Sequence, residues 1–296
     1  MTAIDAETES VTAEISFLAE GSFINRRFAA PGNEVNTGRY ETHKVRIRNA
    51  RPFRDRFTLD SHGFTLIDHK SAVKNFYDND EVGGIYPKEV VEAVKKLTGA
   101  TSIATQGWMV RNSGDLGRFA KPAVGYSHHG GVQPPAAEAH VDYLPDVADR
   151  NAKAIYERTF PGGPGYKRFI AGSFWRAFSA PPQDCPLALC DGRSVGAEEG
   201  VRNVLIIVDK IPTEEEMLGE IPDEDKKAAA AVFRYNPNHR WWYFPNMSRD
   251  EALFFKFHDS DRGRAWRVPH TAFRDPSVKT DHPRESIELR LVAYFE

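Results

Sequence analysis

Short segments of β-branched and aromatic residues, separated by turn-forming residues, fill the chain from about residue 100 to its end. Segments of this kind are typical of strands, and many short strands with few helices between them are typical of a sandwich or barrel. The pattern predicts a mainly β protein, either a jelly roll or a related sandwich-barrel, and periodicity alone does not separate the two. The predicted strands are residues 103–110, 137–143, 167–178, 203–210, 239–244, 252–257, 264–270 and 286–295.

Two helices are predicted to flank these strands. Residues 87–97 begin with a proline, carry valines and a leucine at helical spacing, and are followed by Gly99. Proline in the first turn and glycine just after the last turn are typical of helix ends. The second predicted helix, residues 145–157, also begins with a proline.

The chain of 296 residues is expected to form one domain behind a short leader. Residues 1–12 are polar and acidic and are predicted to be a disordered leader. Residues 13–296 are predicted to be a single jelly-roll domain, in which residues 13–100 form an N-terminal extension. Residues 211–231 are acidic and then alanine-rich, and are predicted to be a surface insertion, part loop and part helix.

The charge of the chain and its lack of long apolar runs limit the kinds of partner that we expect it to bind. The chain has 39 Lys and Arg against 42 Asp and Glu, and its formal net charge is −3. A nucleic-acid binder would need a positive surface to displace counterions, and a membrane span would need about 20 apolar residues in a row. Cys185 and Cys190 are predicted to be reduced thiols. We therefore expect a cytoplasmic protein that acts on a small molecule, with neither nucleic acid nor membrane as partner; its oligomeric state stays open.

The tripeptide His140-Val141-Asp142 stands inside one of the predicted strands. Residues i and i+2 of a strand point to the same face, so this imidazole and this carboxylate would lie side by side. Ferrous iron with open coordination positions is commonly held by two histidines and one carboxylate on one face of the octahedron. A single His-x-Asp also arises by chance, as a strand-edge pair in which the two side chains cap each other, so the interpretation needs a third ligand.

Further residues of the required kinds follow near the C-terminus. His270 ends a predicted strand about 130 positions after His140 and is the candidate third ligand. Arg284 and Ser286 then share one face of the last predicted strand. A buried guanidinium is unfavourable unless an anion meets it, and it binds a carboxylate through two hydrogen bonds. Arg-x-Ser after a ligating histidine therefore predicts a receptor for the distal carboxylate of 2-oxoglutarate; the alternative for the arginine is a salt bridge at the rim.

His258 is the rival third ligand. It follows a run of apolar residues, and if Phe255 and Phe257 face the core, His258 faces outward. That orientation favours a surface role for His258 and places His270 ahead of it.

Several other side chains are considered as substrate contacts. For the loop residues among them the alternative is a solvent-exposed loop. For the arginines, among which Arg290 is also weighed, surface charge or pairing with a neighbouring carboxylate is the favoured interpretation. Adjacent tryptophans at positions 241 and 242 face opposite ways on a strand, so one of them could border an active site. The considered contacts are Tyr126, His128, Arg111, Trp175, Arg176 and Trp242.

Taken as a set, these motifs resemble the iron and 2-oxoglutarate oxygenase-like family of fungal and bacterial hydroxylases and desaturases of secondary metabolism. The resemblance runs from about residue 100 to the end of the chain. It implies a double-stranded β-helix with flanking helices, His140, Asp142 and His270 as iron ligands, and contacts from Arg284 and Ser286 to 2-oxoglutarate. The matching segments are residues 140–142 (HVD), 175–176 (WR), 186–191 (PLALCD), 240–245 (RWWYFP), 255–260 (FKFHDS), 270–273 (HTAF), 275–276 (DP) and 284–290 (RESIELR).

The sequence thus predicts a non-haem Fe(II) dioxygenase that uses 2-oxoglutarate and dioxygen. We expect it to act on a small molecule by hydroxylation, desaturation or oxidative cyclisation. Three alternatives stay open at this point: a non-catalytic jelly-roll binding module or partner subunit, an iron oxidase that does not use 2-oxoglutarate, and a zinc enzyme. A zinc enzyme would not need the carboxylate receptor that Arg284 and Ser286 are predicted to form.

Overall fold

Two large β-sheets and few helices make up the described part of the protein. The structure is a computed structural model, and it describes residues 8–31, 33–114 and 131–296. The helices are α1 (Asn79–Thr98), α2 (Pro145–Thr159) and α3 (Glu214–Leu218). The strands are β1 (Ser10–Leu18), β2 (Arg26–Ala30), β3 (Asn33–Asn36), β4 (Tyr40–Asn49), β5 (Phe64–Asp68), β6 (Ser102–Asn112), β7 (Val132–Gln133), β8 (His140–Val141), β9 (Arg168–Ala177), β10 (Leu187–Cys190), β11 (Val201–Ile207), β12 (Ala229–Val232), β13 (Trp241–Tyr243), β14 (Glu251–Asp259), β15 (His270–Ala272) and β16 (Glu285–Phe295).

The strand order brings distant segments of the chain together. One sheet has ten strands in the order β1-β4-β13-β10-β15-β8-β12-β11-β2-β3, and the other has six in the order β5-β14-β9-β16-β6-β7. The mainly β prediction is confirmed. Strands β8 and β15 are neighbours in the larger sheet although more than 100 residues separate them, which places His140 directly opposite His270.

Two apolar cores lie on the two faces of the six-stranded sheet. Strand β16 contributes to both, because its side chains alternate between the faces. Ile287, Leu289 and Leu291 are fully buried in the core beneath α1. Val292 and Tyr294 belong to the larger core, which includes residues of both sheets. The even-numbered residues at the start of β16 therefore point towards the space between the sheets, and that space contains the candidate site.

Helix α1 begins at Asn79, earlier than the predicted start at residue 87, and Pro87 lies inside it. The physical reason is the cap. The side chain of Asp78 accepts hydrogen bonds from the backbone N–H groups of Asp80 and Glu81, which satisfies donors that the first turn leaves open. Gly99 ends the helix in a left-handed conformation, as predicted. The prediction for α2 is confirmed, since that helix begins at Pro145 and ends at Thr159.

Other predicted boundaries are wrong. Within residues 137–143 only β8 is a strand, and within 264–270 only His270 is, as the first residue of β15. Strand β1 begins at Ser10, inside the predicted leader, because it pairs with β4 along its whole length. The alanine-rich end of the predicted insertion is strand β12, which lies between β8 and β11. Burial of Ala229 and Ala231 in the core outweighs the helix preference of alanine.

A buried ion pair lies within β14, and an arginine of the neighbouring strand β9 joins it. Lys256 donates to the Asp259 carboxylate over 2.6 Å, and both side chains are 0% exposed. Arg168 also donates to Asp259, over 2.9 and 2.6 Å. A charged side chain that is buried without an opposite charge destabilises the folded state, so removal of either partner leaves the other at a cost in free energy.

We expect Lys256→Met to lower the free energy of unfolding by about 3 kcal/mol, because it leaves Asp259 buried with one partner fewer. The matched control is Lys226, which pairs with Asp223 at the same sequence spacing and over 2.7 Å, with side chains 71% and 66% exposed. Lys226→Met should change the free energy by less than about 0.5 kcal/mol. Urea unfolding of both variants measures the difference; equal effects would contradict a stabilising role for the buried pair.

Candidate metal and co-substrate site

Three side chains predicted as metal ligands converge in the space between the sheets. His140 lies on β8, Asp142 follows that strand, and His270 begins β15. One ligand atom from each lies within 4.8 Å of the others. Asp142 Oδ1 is 3.4 Å from His140 Nε2 and 3.6 Å from His270 Nε2. The three groups therefore surround one point with two nitrogens and one oxygen.

The backbone sets the tautomer of both histidines. His140 Nδ1 lies 2.8 Å from the carbonyl oxygen of Glu138, and His270 Nδ1 lies 3.1 Å from that of Val268. A carbonyl only accepts, so each Nδ1 carries the proton and each Nε2 keeps its lone pair for a metal. Burial lowers the pKa of His270 to about 3, so this imidazole is neutral at pH 7.

Asp142 is 4% exposed, yet it is ionised. Burial alone raises the pKa of its carboxyl, but the charge of Arg290, together with His140, outweighs this effect and holds the pKa well below its usual range. Arg290 Nε lies 2.7 Å from Asp142 Oδ2. A carboxylate and two imidazoles, each with its Nδ1 hydrogen-bonded to a backbone carbonyl, form the donor set that non-haem Fe(II) takes. The residues present thus fit the metal.

A buried cation with unused donors faces the same space. Arg284 is 1% exposed, and its Nε and Nη2 atoms have no hydrogen-bond partner within the described residues. The hydroxyl groups of Ser286 and Ser173 are likewise buried without a partner there. The guanidinium carbon of Arg284 lies 5.6 Å from the centre of the Trp175 ring. A buried charge without a counter-charge is costly, so this group of donors fits a carboxylate ligand.

Two cavities meet at the metal ligands. The smaller, of about 20 Å³, is bordered by the three ligands and by Arg284, Trp175 and apolar side chains of β14. The larger, of about 390 Å³, also reaches His140 and Asp142. Many alanines and two prolines line this larger cavity, and their small side chains leave it wide. Arg111 and Arg290 border both cavities.

The structure brings some of the considered substrate contacts to the site and not others. Arg111 and Trp175 border the smaller cavity, and Arg111 is paired with Glu288 rather than exposed as a surface charge. Tyr126 and His128 lie outside the described residues.

Arg176 and Trp242 border neither of these two cavities within the described residues. Arg176 follows Trp175 on β9 and therefore points to the other face, where it donates to the hydroxyl of Tyr86. Trp242 packs edge-on against Phe57, with ring centroids 5.0 Å apart.

Sequence reasoning did not single out Ser173 or Glu288 as site residues. Both border the smaller cavity. The two-residue period of a strand could have identified them, because it places them on the same face as predicted site residues. Ser173 is two residues before Trp175, and Glu288 is two residues after Ser286.

His258 is buried, and the prediction of an outward-facing surface residue was wrong. Strand β14 has a bulge between Lys256 and His258, which interrupts the simple alternation. The imidazole stacks on Phe169 with ring centroids 5.3 Å apart and is 1% exposed. It is not part of the ligand cluster, whose third member is His270.

We expect His270→Ala to remove iron and His258→Ala to keep it. The His258 variant should instead lose about 1–3 kcal/mol of unfolding free energy, because it leaves a hole beside Phe169. Iron content after anaerobic loading and urea unfolding of both proteins separate the two roles. If the His258 variant loses iron while the His270 variant retains it, the assignment of the third ligand must be exchanged.

The chain is similar to known proteins over most of its length. Residues 17–294 match the family described as oxidoreductase/YMDC permease-like domain. The hydroxylase/desaturase CTB9 of Cercospora beticola is 33% identical over 272 residues, which cover 87% of this chain and 78% of that protein. The Fe(II)/2-oxoglutarate-dependent dioxygenase nvfI of Aspergillus novofumigatus is 27% identical over 271 residues, 89% of this chain and 87% of that protein.

Solved structures give the same result for the fold. The iron and alpha-ketoglutarate-dependent endoperoxidase NvfI aligns with a TM-score of 0.77 at 24% sequence identity, over 98% of this chain and 99% of that one. The jelly-roll prediction is thereby confirmed. In the described residues, no helix is both long and apolar enough to cross a membrane.

Fold, site and relatives together define a non-haem Fe(II)- and 2-oxoglutarate-dependent dioxygenase, an oxidoreductase that acts on small molecules. Its cofactor is Fe(II), and its co-substrates are 2-oxoglutarate and dioxygen. The chain belongs to the oxidoreductase/YMDC permease-like family. The predicted enzyme class and cofactors are confirmed.

Proposed function

We propose that His140, Asp142 and His270 hold Fe(II), and that Arg284 with Ser286 binds the distal carboxylate of 2-oxoglutarate. The observation that carries this proposal is the buried guanidinium of Arg284, which has unused donors on the same cavity as the three ligands. Bound Fe(II), with 2-oxoglutarate and dioxygen, supplies an oxidant able to remove hydrogen from an unactivated C–H bond.

The side chains around the smaller cavity have two tasks in this proposal. Arg284 and Ser286 orient the 2-oxo acid by holding its far end, so that its other end reaches the metal ligands. Leu187, Phe255 and Phe257 form apolar walls of the same cavity. These walls keep water from the reacting atoms, which protects a reactive site from side reactions.

We propose that the larger cavity takes the primary substrate. Its volume of about 390 Å³ lies in the range of small-molecule sites, and it meets the metal ligands at His140 and Asp142. Alanines at positions 29, 30, 136, 137 and 228–230 keep it wide enough for a substrate bulkier than 2-oxoglutarate. Hydroxylation, desaturation or oxidative cyclisation of such a molecule is the reaction we propose.

Two further properties complete the proposal. A formal net charge of −3 does not favour nucleic acid as a partner, so we propose a small molecule as the partner class. Cys185 and Cys190 are both free thiols, which supports a reducing compartment such as the cytoplasm.

The test is anaerobic titration of the purified protein with Fe(II) and then with 2-oxoglutarate. A metal-chelated 2-oxo acid has a weak visible charge-transfer band, and we expect this band to appear and saturate. Iron binding without the band would contradict the co-substrate role of Arg284 and favour an oxidase that uses its substrate as chelator. Absence of iron binding would contradict the ligand set.

A further inference from the structure

A chain of four charged side chains begins at the candidate metal ligand Asp142, which is buried, and continues through three partly buried residues. Arg290 Nε lies 2.7 Å from Asp142 Oδ2, and Arg290 Nη2 lies 2.9 Å from Glu288 Oε1. Arg111 holds the two oxygens of Glu288 over 2.9 and 3.2 Å. Arg111 Nη1 also donates to the carbonyl oxygen of Pro134 over 2.8 Å. Negative and positive side chains alternate along this chain, so each charge lies next to an opposite charge. Arg111, at the end of the chain, is also held by a backbone carbonyl.

The two oxygens of Asp142 have different surroundings. Oδ1 faces the nitrogens of both histidines, whereas Oδ2 is the oxygen paired with Arg290. A carboxylate in this position has one oxygen for a metal and one that is engaged elsewhere. Its rotation about the Cβ–Cγ bond would exchange the two, and the ion pair opposes that rotation.

We propose that Arg290 is a positioning residue that fixes Asp142 for one-oxygen coordination, and that Glu288 and Arg111 hold Arg290 in place. The inference rests on the proposed ligand set. It explains why a cation stands beside a metal site at all. Coulomb repulsion from Arg290 would by itself weaken the binding of a divalent cation, so the charge of the arginine does not explain its position beside the ligands. A fixed orientation of the Asp142 carboxylate does explain it.

The test uses Co(II) as the probe, with binding followed anaerobically by calorimetry and by the visible d–d bands. Outer hydrogen-bond partners of metal ligands are typically worth about 10- to 100-fold in metal affinity. We expect Arg290→Met to weaken Co(II) binding by that factor and to change the band shape. Arg290→Lys keeps a donor and the charge, and should recover most of the loss. Glu288→Gln should give an intermediate loss.

Arg284→Met is the matched control, because it removes another arginine that borders the smaller cavity without touching Asp142. Its Co(II) affinity should stay within about threefold of the parent protein, well below the effect of an outer-shell partner. Thermal unfolding of the metal-free variants checks that each is folded. If the Arg290→Met protein is folded and binds Co(II) as tightly as the parent, or more tightly, the positioning role is wrong.

The ligand set is tested in the same series. His140→Ala should abolish Co(II) binding. If it does so while Arg290→Met changes nothing, only the role of Arg290 is overturned. If His140→Ala binds Co(II) normally, the ligand set is wrong, and the role of Arg290 is overturned with it.

Discussion

Replacement of His140 or Asp142 by alanine is expected to remove iron and all turnover of 2-oxoglutarate. Each substitution takes away one of three protein ligands, so the loss of Fe(II) affinity should exceed about 100-fold, the upper range for outer partners of a ligand. The loss should not come from unfolding, because both side chains lie beside a cavity rather than in the centre of either apolar core. Iron content after anaerobic loading and consumption of 2-oxoglutarate measure the effect.

His282→Ala is the control for the general effect of losing a histidine, since His282 is exposed. That variant should keep its iron and its activity. Circular dichroism of the metal-free proteins shows whether the strands persist. Full iron content in the His140 or the Asp142 variant would contradict the assignment of that residue as a metal ligand.

Arg284→Met is expected to lose 2-oxoglutarate binding and to keep Fe(II). Truncating one member of a buried, hydrogen-bonded charge pair costs about 2–5 kcal/mol, which corresponds to a roughly 30-fold to several thousand-fold weaker Kd. Arg284→Lys keeps the charge but loses the planar fork, so it should recover only part of the affinity. Ser286→Ala removes a single hydroxyl and should cost about 1 kcal/mol, or about fivefold.

The measurement is the anaerobic charge-transfer band titrated with 2-oxoglutarate at saturating Fe(II). Arg290→Met serves as the comparison, because it removes another arginine of the same cavity and is expected to act on the metal instead. An unchanged affinity for 2-oxoglutarate in Arg284→Met would show that another group holds the co-substrate.

Local periodicity was sufficient to predict the composition of the candidate site. The two-residue spacing of His140 and Asp142 predicts a shared face, and the same spacing groups Arg284 with Ser286. These residues do border or adjoin one cavity. His258 shows where the rule fails: one extra residue in a bulge at β14 was enough to bury a side chain predicted to face outward.

Element ends were less predictable, because tertiary contacts decide them. Helix α1 extends beyond the predicted start since a single side chain, Asp78, caps it there. Strand β12 forms from alanines because it has β8 and β11 on its two sides. Neither neighbour is visible from the alanines themselves.

Strand periodicity in the sequence is enough to group residues on one strand face, and with them the candidate metal ligands, the proposed anion receptor and the mainly β class. What stands opposite each face depends on the tertiary structure. It pairs Arg290 with Asp142, Arg111 with Glu288, and turns Arg176 towards the other core. The physical reason is that side-chain alternation is a property of one strand, whereas burial and ion pairing depend on residues far away in the chain.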